Sequence, residues 1–335
     1  MPFARFPEWM WKNKEVLNFV EWLRVYNMQQ GNKVGFYGLD LYGMENSIRL
    51  VIDYLEKNDV NLASLAKKRY ACIMPYMSDP SKYGQMVLSN KLMSCEKEIL
   101  KMLIDLLKSK SKLNHSPEYF YAYQNANVVV DAERYYKAMY YGSSDSWNLR
   151  DFHMFHTLKS LLSYFGPLTK AVVWAHNSHI GNALATEMYS RGEINIGHLC
   201  KEHFRDKSYH IGFGTHKGTV AAAHNWGDNM EIMQVNPSLL GSYEYLCSQT
   251  QTANFTLPLR ENDSGKKLRK LLNTPKLERA IGVMYRPKTE RISHYFQAIL
   301  PSQFDEYIWF NTSQAVTPIT TDNVTPKLLE SHPFG

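Results

Sequence analysis

Five short apolar runs limit how this chain can fold: residues 33–37 (KVGFY), 171–174 (AVVW), 208–213 (SYHIGF), 280–284 (AIGVM) and 307–310 (YIWF). Each is short, bounded by polar or turn residues and rich in β-branched or aromatic side chains, so each reads as a buried strand. Helical spacing is clear between them. Val16, Phe19, Val20 and Leu23 fall at i, i+3, i+4 and i+7 of a helix from residue 13 to about 29, and Ile48, Val51, Ile52 and Leu55 repeat the pattern. Gly31 and Asn32 end the first helix just before KVGFY. Helix, strand and helix in quick succession is the rhythm of a parallel sheet. The expected class is α/β: a mostly parallel sheet flanked by helices, with a largely helical subdomain over 61–165. Within that subdomain, residues 83–108 and 117–140 are the long helices. Residues 186–206 and 260–278 read as polar connections, residues 1–320 as one domain and 321–335 as a tail.

Four of the runs lead at once into chemically capable residues. KVGFY is followed by Asp40, AVVWA by His176, Asn177, Ser178 and His179, and YHIGF by a loop holding His216. The fourth, AIGVM, leads into Tyr285, Arg286, Glu290 and His294. Ligands of open parallel sheets bind beyond the carboxyl ends of the strands, so parallel neighbours would bring these residues to one crevice.

The pair His176 and His179 is the sharpest chemical feature. Two imidazoles three residues apart can face one way from a turn or a first helical turn, and they titrate near neutrality, which suits proton transfer. The alternative is two histidines that hydrogen-bond backbone at a strand end. As a metal site the pair would need Asp40, His216 or Glu290 to complete it; the spacing requires none of these, and no metal is expected. Residues 212–219 (GFGTHKGT) fit neither phosphate-binding glycine pattern, which leaves a tight turn or a close approach to a ligand. Residues 146–151 (SWNLRD) read as a helix start capped by Asn148 or Asp151, with Arg150 in reach of a carboxylate or ester. There is no GxSxG elbow, so Ser178 is not read as a nucleophile.

Composition removes other classes. The net charge of +6 is spread along the chain without a nucleic-acid-reading motif, so no nucleic-acid partner is expected. No apolar run reaches membrane-spanning length and the first residues lack a signal-peptide core, so neither a membrane nor a secretory route is expected. Cys72, Cys95, Cys200 and Cys247 show no CxxC spacing and read as reduced thiols of a cytoplasmic protein. The glycosylation triplets at Asn254, Asn311 and Asn323 are then chance matches. Oligomeric state leaves no signal.

Taken in order, FPEWMWKNKEVLNFVEWLR, VGFYGLDLY, VVWAHNSHIGNALATEM, IGFGTHKGTVAAA, SYE, LERAIGVMYRPKTERISHYF and QFDEYI resemble the erythromycin esterase family. The resemblance runs from about residue 5 to about residue 318. It implies an α/β core with a helical subdomain, and metal-independent, cofactor-free hydrolysis of a small carboxylic ester or lactone, a macrolide in characterised members. Other members have no known substrate. In that family a histidine is general base on water, in an upstream GE-x-x-HG segment, and the two histidines of W-A-H-N-x-H complete the site. These correspond to His176 and His179, the expected catalytic residues. Asp40, Asn177, His216, Tyr285, Arg286, Glu290 and His294 are the expected substrate-binding residues. No GE-x-x-HG occurs in the chain, so it reads as an N-terminally truncated member of doubtful activity. The alternatives are an inactive remnant or ligand-binding module of the same fold and, further off, a metal- or haem-binding protein.

Overall fold

Asn13 starts the first helix, α1 (Lys14–Gln29), because its buried side chain accepts the Val16 N–H at 2.8 Å and donates to Trp9 O at 2.9 Å. In the computed structural model, residues 6–109, 116–140, 143–260 and 263–319 are described, which leaves the tail over 321–335 outside the described residues. The chain divides into a unit of Met1–Tyr37 with Val172–Lys327 and a helical unit from Gly38 to Ala171.

The helical unit contains α2 (Met44–Asn58), α3 (Val60–Tyr70), α4 (Pro80–Leu88), α5 (Glu96–Lys108), α6 (Pro117–Ala138) and α7 (Ser143–Phe165). Side chains of Asp59, Asp79 and Ser116 cap α3, α4 and α6, and proline opens both α4 and α6. The stripe Met44, Ile48, Val51 and Leu55 of α2 is buried in a core shared with Val129 and Tyr136 of α6. Three corrections arise here. The expected long helix over 83–108 is broken between α4 and α5, where Asn90 takes φ of 56°. Asn148 and Asp151 do not cap a helix, since both lie within α7. Cys72 and Cys95 are not reduced thiols: α3 packs on α5 and brings their Cα atoms to 6.1 Å, where they form a disulfide. Cys200 and Cys247 are free, and burial pushes both thiols up to about 12.

The other unit adds α8 (Asn177–Ile180), α9 (Glu187–Ser190), α10 (Ile196–Phe204), β1 (Ile211–Ala222), β2 (Glu231–Val235), α11 (Tyr243–Ser248), β3 (Asn254–Pro258), α12 (Asp263–Leu272), β4 (Lys276–Arg279), α13 (Glu290–Ser293), β5 (Tyr295–Ala298), α14 (Leu300–Gln303) and β6 (Glu306–Ser313). Short helices thus occupy the supposed polar connections. The class is mixed α/β, but the sheet is not mostly parallel. Its order is β2-β1-β6-β3, with β1 parallel to β6 and the β1–β2 and β3–β6 pairs antiparallel; β4 and β5 form a separate antiparallel pair. Trp309, Tyr307 and Phe304 build the core beneath it.

The expected strands at 208–213 and 307–310 lie in or run into β1 and β6. Those at 33–37 and 171–174 join no strand ladder, and residues 280–284 contribute one bridge, Ala223 to Met284. A strand needs a hydrogen-bonded neighbouring strand along its length, and among the described residues none runs beside these segments. Val34 instead receives a side chain: its N–H donates to Asn27 Oδ1 at 2.8 Å and its carbonyl accepts Asn27 Nδ2 at 2.9 Å. Val172 (97% exposed), Trp174 (57%) and Phe36 (47%) are consequently open to solvent.

Candidate functional site

The histidine pair sits on the short helix α8. His176 is its N-cap, and His179 lies within it three residues on. His176 Nδ1 accepts from the Ser178 backbone N–H at 3.2 Å and lies 2.9 Å from Ser178 Oγ, while Nε2 lies 3.1 Å from Ile281 O. A carbonyl only accepts, so Nε2 carries the proton and Nδ1 the lone pair. The ring is therefore neutral and both nitrogens are engaged. Although an edge of the residue stays exposed, dense packing and then the neighbouring His179 hold its pKa down to about 4, against a small upward pull from Ile281 O.

Asn177 faces β1. Its Nδ2 donates to Phe213 O at 2.7 Å and its Oδ1 accepts the Phe213 N–H at 3.1 Å. Over residues 211–217, β1 has β6 on one side only, because β2 pairs from Gly218 onward. Asn177 thus does for this open edge what a strand would do.

His216 lies on β1. Its Nδ1 takes Ser238 Oγ at 2.7 Å and the Ser238 N–H at 3.3 Å, and burial followed by the Lys217 and Arg279 charges lowers its pKa. Tyr285 and Glu290 are buried in a network rather than a crevice wall. Tyr285 accepts the Asn236 N–H at 3.0 Å and donates to Glu290 Oε1 at 3.0 Å; burial raises its pKa to about 12. Glu290 also pairs with Arg279 at 3.1 Å, both side chains at most 4% exposed. His294 Nδ1 donates to Ala280 O at 3.2 Å and its Nε2 accepts the Arg286 N–H at 2.9 Å, with burial lowering its pKa. The Arg286 guanidinium binds His224 O and Asn225 Oδ1, both at 3.2 Å. Asp40 belongs to the helical unit, where it holds Arg150 through both carboxylate oxygens, at 2.7 Å from Nη2.

The three loops of this unit therefore do not line up as the ends of parallel strands. His176, Asn177 and His179 share one turn, tied to β1, the strand that carries His216, while Tyr285, Glu290 and His294 brace the segment after Met284. Sequence reasoning passed over Arg279, Glu278 and Glu244. Arg279, 7% exposed, spends its guanidinium on Glu290 and on the carbonyls of Asn236, Thr215 and His216. Glu244 Oε1 accepts the Arg279 N–H at 2.9 Å. The signal was present in SYE and LERA, where charges interrupt apolar sequence. Among the described residues, no three His, Cys, Asp or Glu side chains are grouped as metal ligands would be, and no helix is long and apolar enough to cross a membrane.

The fold has solved counterparts. A protein from Bacillus cereus superposes with a TM-score of 0.79 at 21% identity, over 92% of this chain and 74% of its own. A succinoglycan biosynthesis protein follows at 0.74 and 19%, over 92% and 72%. A mutant of the erythromycin esterase EreC, in its open conformation, gives 0.63 at 12%, over 89% and 72%. The family model described as erythromycin esterase matches residues 1–313. The chain belongs to the erythromycin esterase family.

Proposed function

We propose that this chain acts in the hydrolysis of carboxylic esters or lactones, with α8 presenting His176 and His179 to the substrate. The observation that carries this reading is the neutral, doubly engaged His176 three residues before His179 on one turn. Because both of its nitrogens are committed, His176 fixes the turn, while His179 handles the proton that passes to or from water or the leaving group. Asn177 keeps the turn against β1, and His216 lies on the strand it is tied to. The likeness to an erythromycin esterase supports a small-molecule substrate; a macrolide lactone is one candidate and a simpler ester another.

These 335 residues contain no GE-x-x-HG, the motif that carries the general base in the resemblance to this family. The exposed segments at 33–36 and 171–174, which join no strand ladder, are where a segment bearing that motif would find strand partners. Incubation of the chain with an aryl ester and a macrolide, alone and with a family N-terminal segment added in trans, tests the reading. Turnover is expected only with the segment, and His179→Ala abolishes it. Brisk turnover by the chain alone defeats the truncated reading, and no turnover under either condition favours a ligand-binding module. That second reading draws on the number of histidine nitrogens already committed to the protein itself: both of His176 and of His294, and Nδ1 of His216.

A further inference from the structure

Ser238 makes a contact that none of the roles above uses. It lies in the loop between β2 and α11 and is 6% exposed. Its Oγ is 2.7 Å from His216 Nδ1, and its backbone N–H donates to the same nitrogen at 3.3 Å. A backbone N–H only donates, so Nδ1 holds the lone pair, the Ser238 hydroxyl donates to it as well, and the proton of the neutral ring sits on Nε2. Burial and then the Lys217 and Arg279 charges disfavour a second proton on this half-buried ring. Nε2 closes no hydrogen bond among the described residues and is not sealed in the core. His216 thus carries an N–H that the fold aims and leaves open.

The two backbones that form this contact are held to each other. Arg279 donates from Nη1 to Asn236 O and from Nη2 to His216 O, both at 2.8 Å, so one guanidinium ties the Ser238 loop to β1. On either side of Ser238, the Asn236 N–H donates to the hydroxyl of buried Tyr285 at 3.0 Å and the Leu239 N–H to that of buried Tyr295 at 3.1 Å. The strand is fixed in turn, since Thr215 pairs with Phe310 and Lys217 with Thr312 of β6, flanking His216. A serine anchored on both sides loses little further freedom in holding the ring.

We propose that Ser238 is a positioning residue that sets His216 to donate its Nε2–H to the carbonyl oxygen of an ester or lactone. As water adds to the carbonyl carbon, the π pair moves onto that oxygen, and the pair returns when the alkoxide leaves with the proton lost by the water. An N–H aimed beforehand suits such a transient negative oxygen, and nearby cations favour it further. The charged and titratable groups around the ring are Lys217 on its own strand, Arg279 on β4 and, around Arg279, Glu290, Tyr285 and Tyr295. The identity of the acceptor rests on the hydrolase reading; the setting of the ring does not.

Long-range proton–nitrogen NMR on the full chain with isotope-labelled histidine reads the ring directly, and His216→Phe gives the assignment. The parent is expected to hold one neutral tautomer, with the proton on Nε2. In Ser238→Ala the His216 pKa is expected to rise by roughly half to one pH unit, the worth of one hydrogen bond to the neutral ring. Ser238→Thr, which keeps the hydroxyl, brings it back. A merely structural serine would leave the titration unmoved. A parent ring protonated on Nδ1 overturns the proposal, as does an unmoved His216 pKa in a folded Ser238→Ala protein. Should Ser238→Ala not fold, the parent tautomer and the ligand titration decide.

That titration uses ethyl phenylphosphonate, an unreactive anionic mimic of the tetrahedral adduct, added to the chain with the family N-terminal segment present. The His216 Nε2 signal is expected to shift saturably, and His216→Phe to weaken binding about five- to tenfold, the factor that one hydrogen bond carries. No shift at Nε2, or binding unchanged in His216→Phe, overturns the proposal. Ester turnover is followed on the same samples. Turnover without a His216 shift leaves the hydrolase reading standing and removes this one, and a shift without turnover does the reverse.

Discussion

Asn177 pairs with Phe213 as a neighbouring strand would, donating at 2.7 Å and accepting at 3.1 Å. Replacing it with alanine removes both bonds and leaves an N–H and a carbonyl on β1 without their partner. Asn177→Ala is therefore expected to lower unfolding free energy by about 1–3 kcal/mol. A denaturant titration checks this, and a loss below a few tenths would mean that water replaces the amide without penalty.

His176 is expected to titrate near 4, as NMR of its ring nitrogens would show, and to keep the proton on Nε2 above that pH. The linkage follows from the sign. The folded pKa lies below the unfolded value of about 6.5, so the unfolded chain takes up the proton first. This residue's contribution to stability is then complete above pH 6.5 and is lost as the pH falls from there to about 4. His176→Asn should flatten that part of the curve of melting temperature against pH. An unchanged slope would show that the ring is charged or freely solvated in the native state.

The two histidines could be picked out in the sequence because a cap is local: His176, Asn177 and Ser178 carry the information for their own turn. The strands over 208–213 and 307–310 were legible for a related reason, since each finds the other across the parallel β1–β6 ladder. Residues 33–37 and 171–174 have the same composition but join no strand ladder, and apolar character alone does not make one. The role of Arg279 was hidden by distance. Its partners Thr215, Asn236, Glu244 and Glu290 are scattered through the sequence, and only folding shows that its charge is enclosed.

Arg279→Met is expected to be severe. It leaves Glu290 in the core with Tyr285 and Asn236 but no cation, and strips three carbonyls of their donor. Breaking a buried pair from one side costs about 3–5 kcal/mol. Calorimetry would check this, and partial recovery in Arg279→Met with Glu290→Gln would locate the cost in the stranded carboxylate.

Tyr307→Phe is expected to leave stability unchanged or raise it, because the hydroxyl it removes is fully buried and bonds to nothing. Gly214 has no room for a side chain, since a Cβ there would meet that same hydroxyl. Gly214→Ala should thus destabilise by about 1–3 kcal/mol, and adding Tyr307→Phe should return part of the loss. A strictly additive double mutant would mean that the two sites do not touch.

Asn27 on Val34 and Asn177 on Phe213 are one device used twice. Each amide fills both the donor and the acceptor of a residue that has no strand on that side of its backbone. Cross-molecular stacking of such edges into fibrils needs those same two groups. Each asparagine is therefore a gatekeeper, and any strand that docks legitimately at either place must first evict an amide, which makes admission selective for a segment able to offer more than backbone in return.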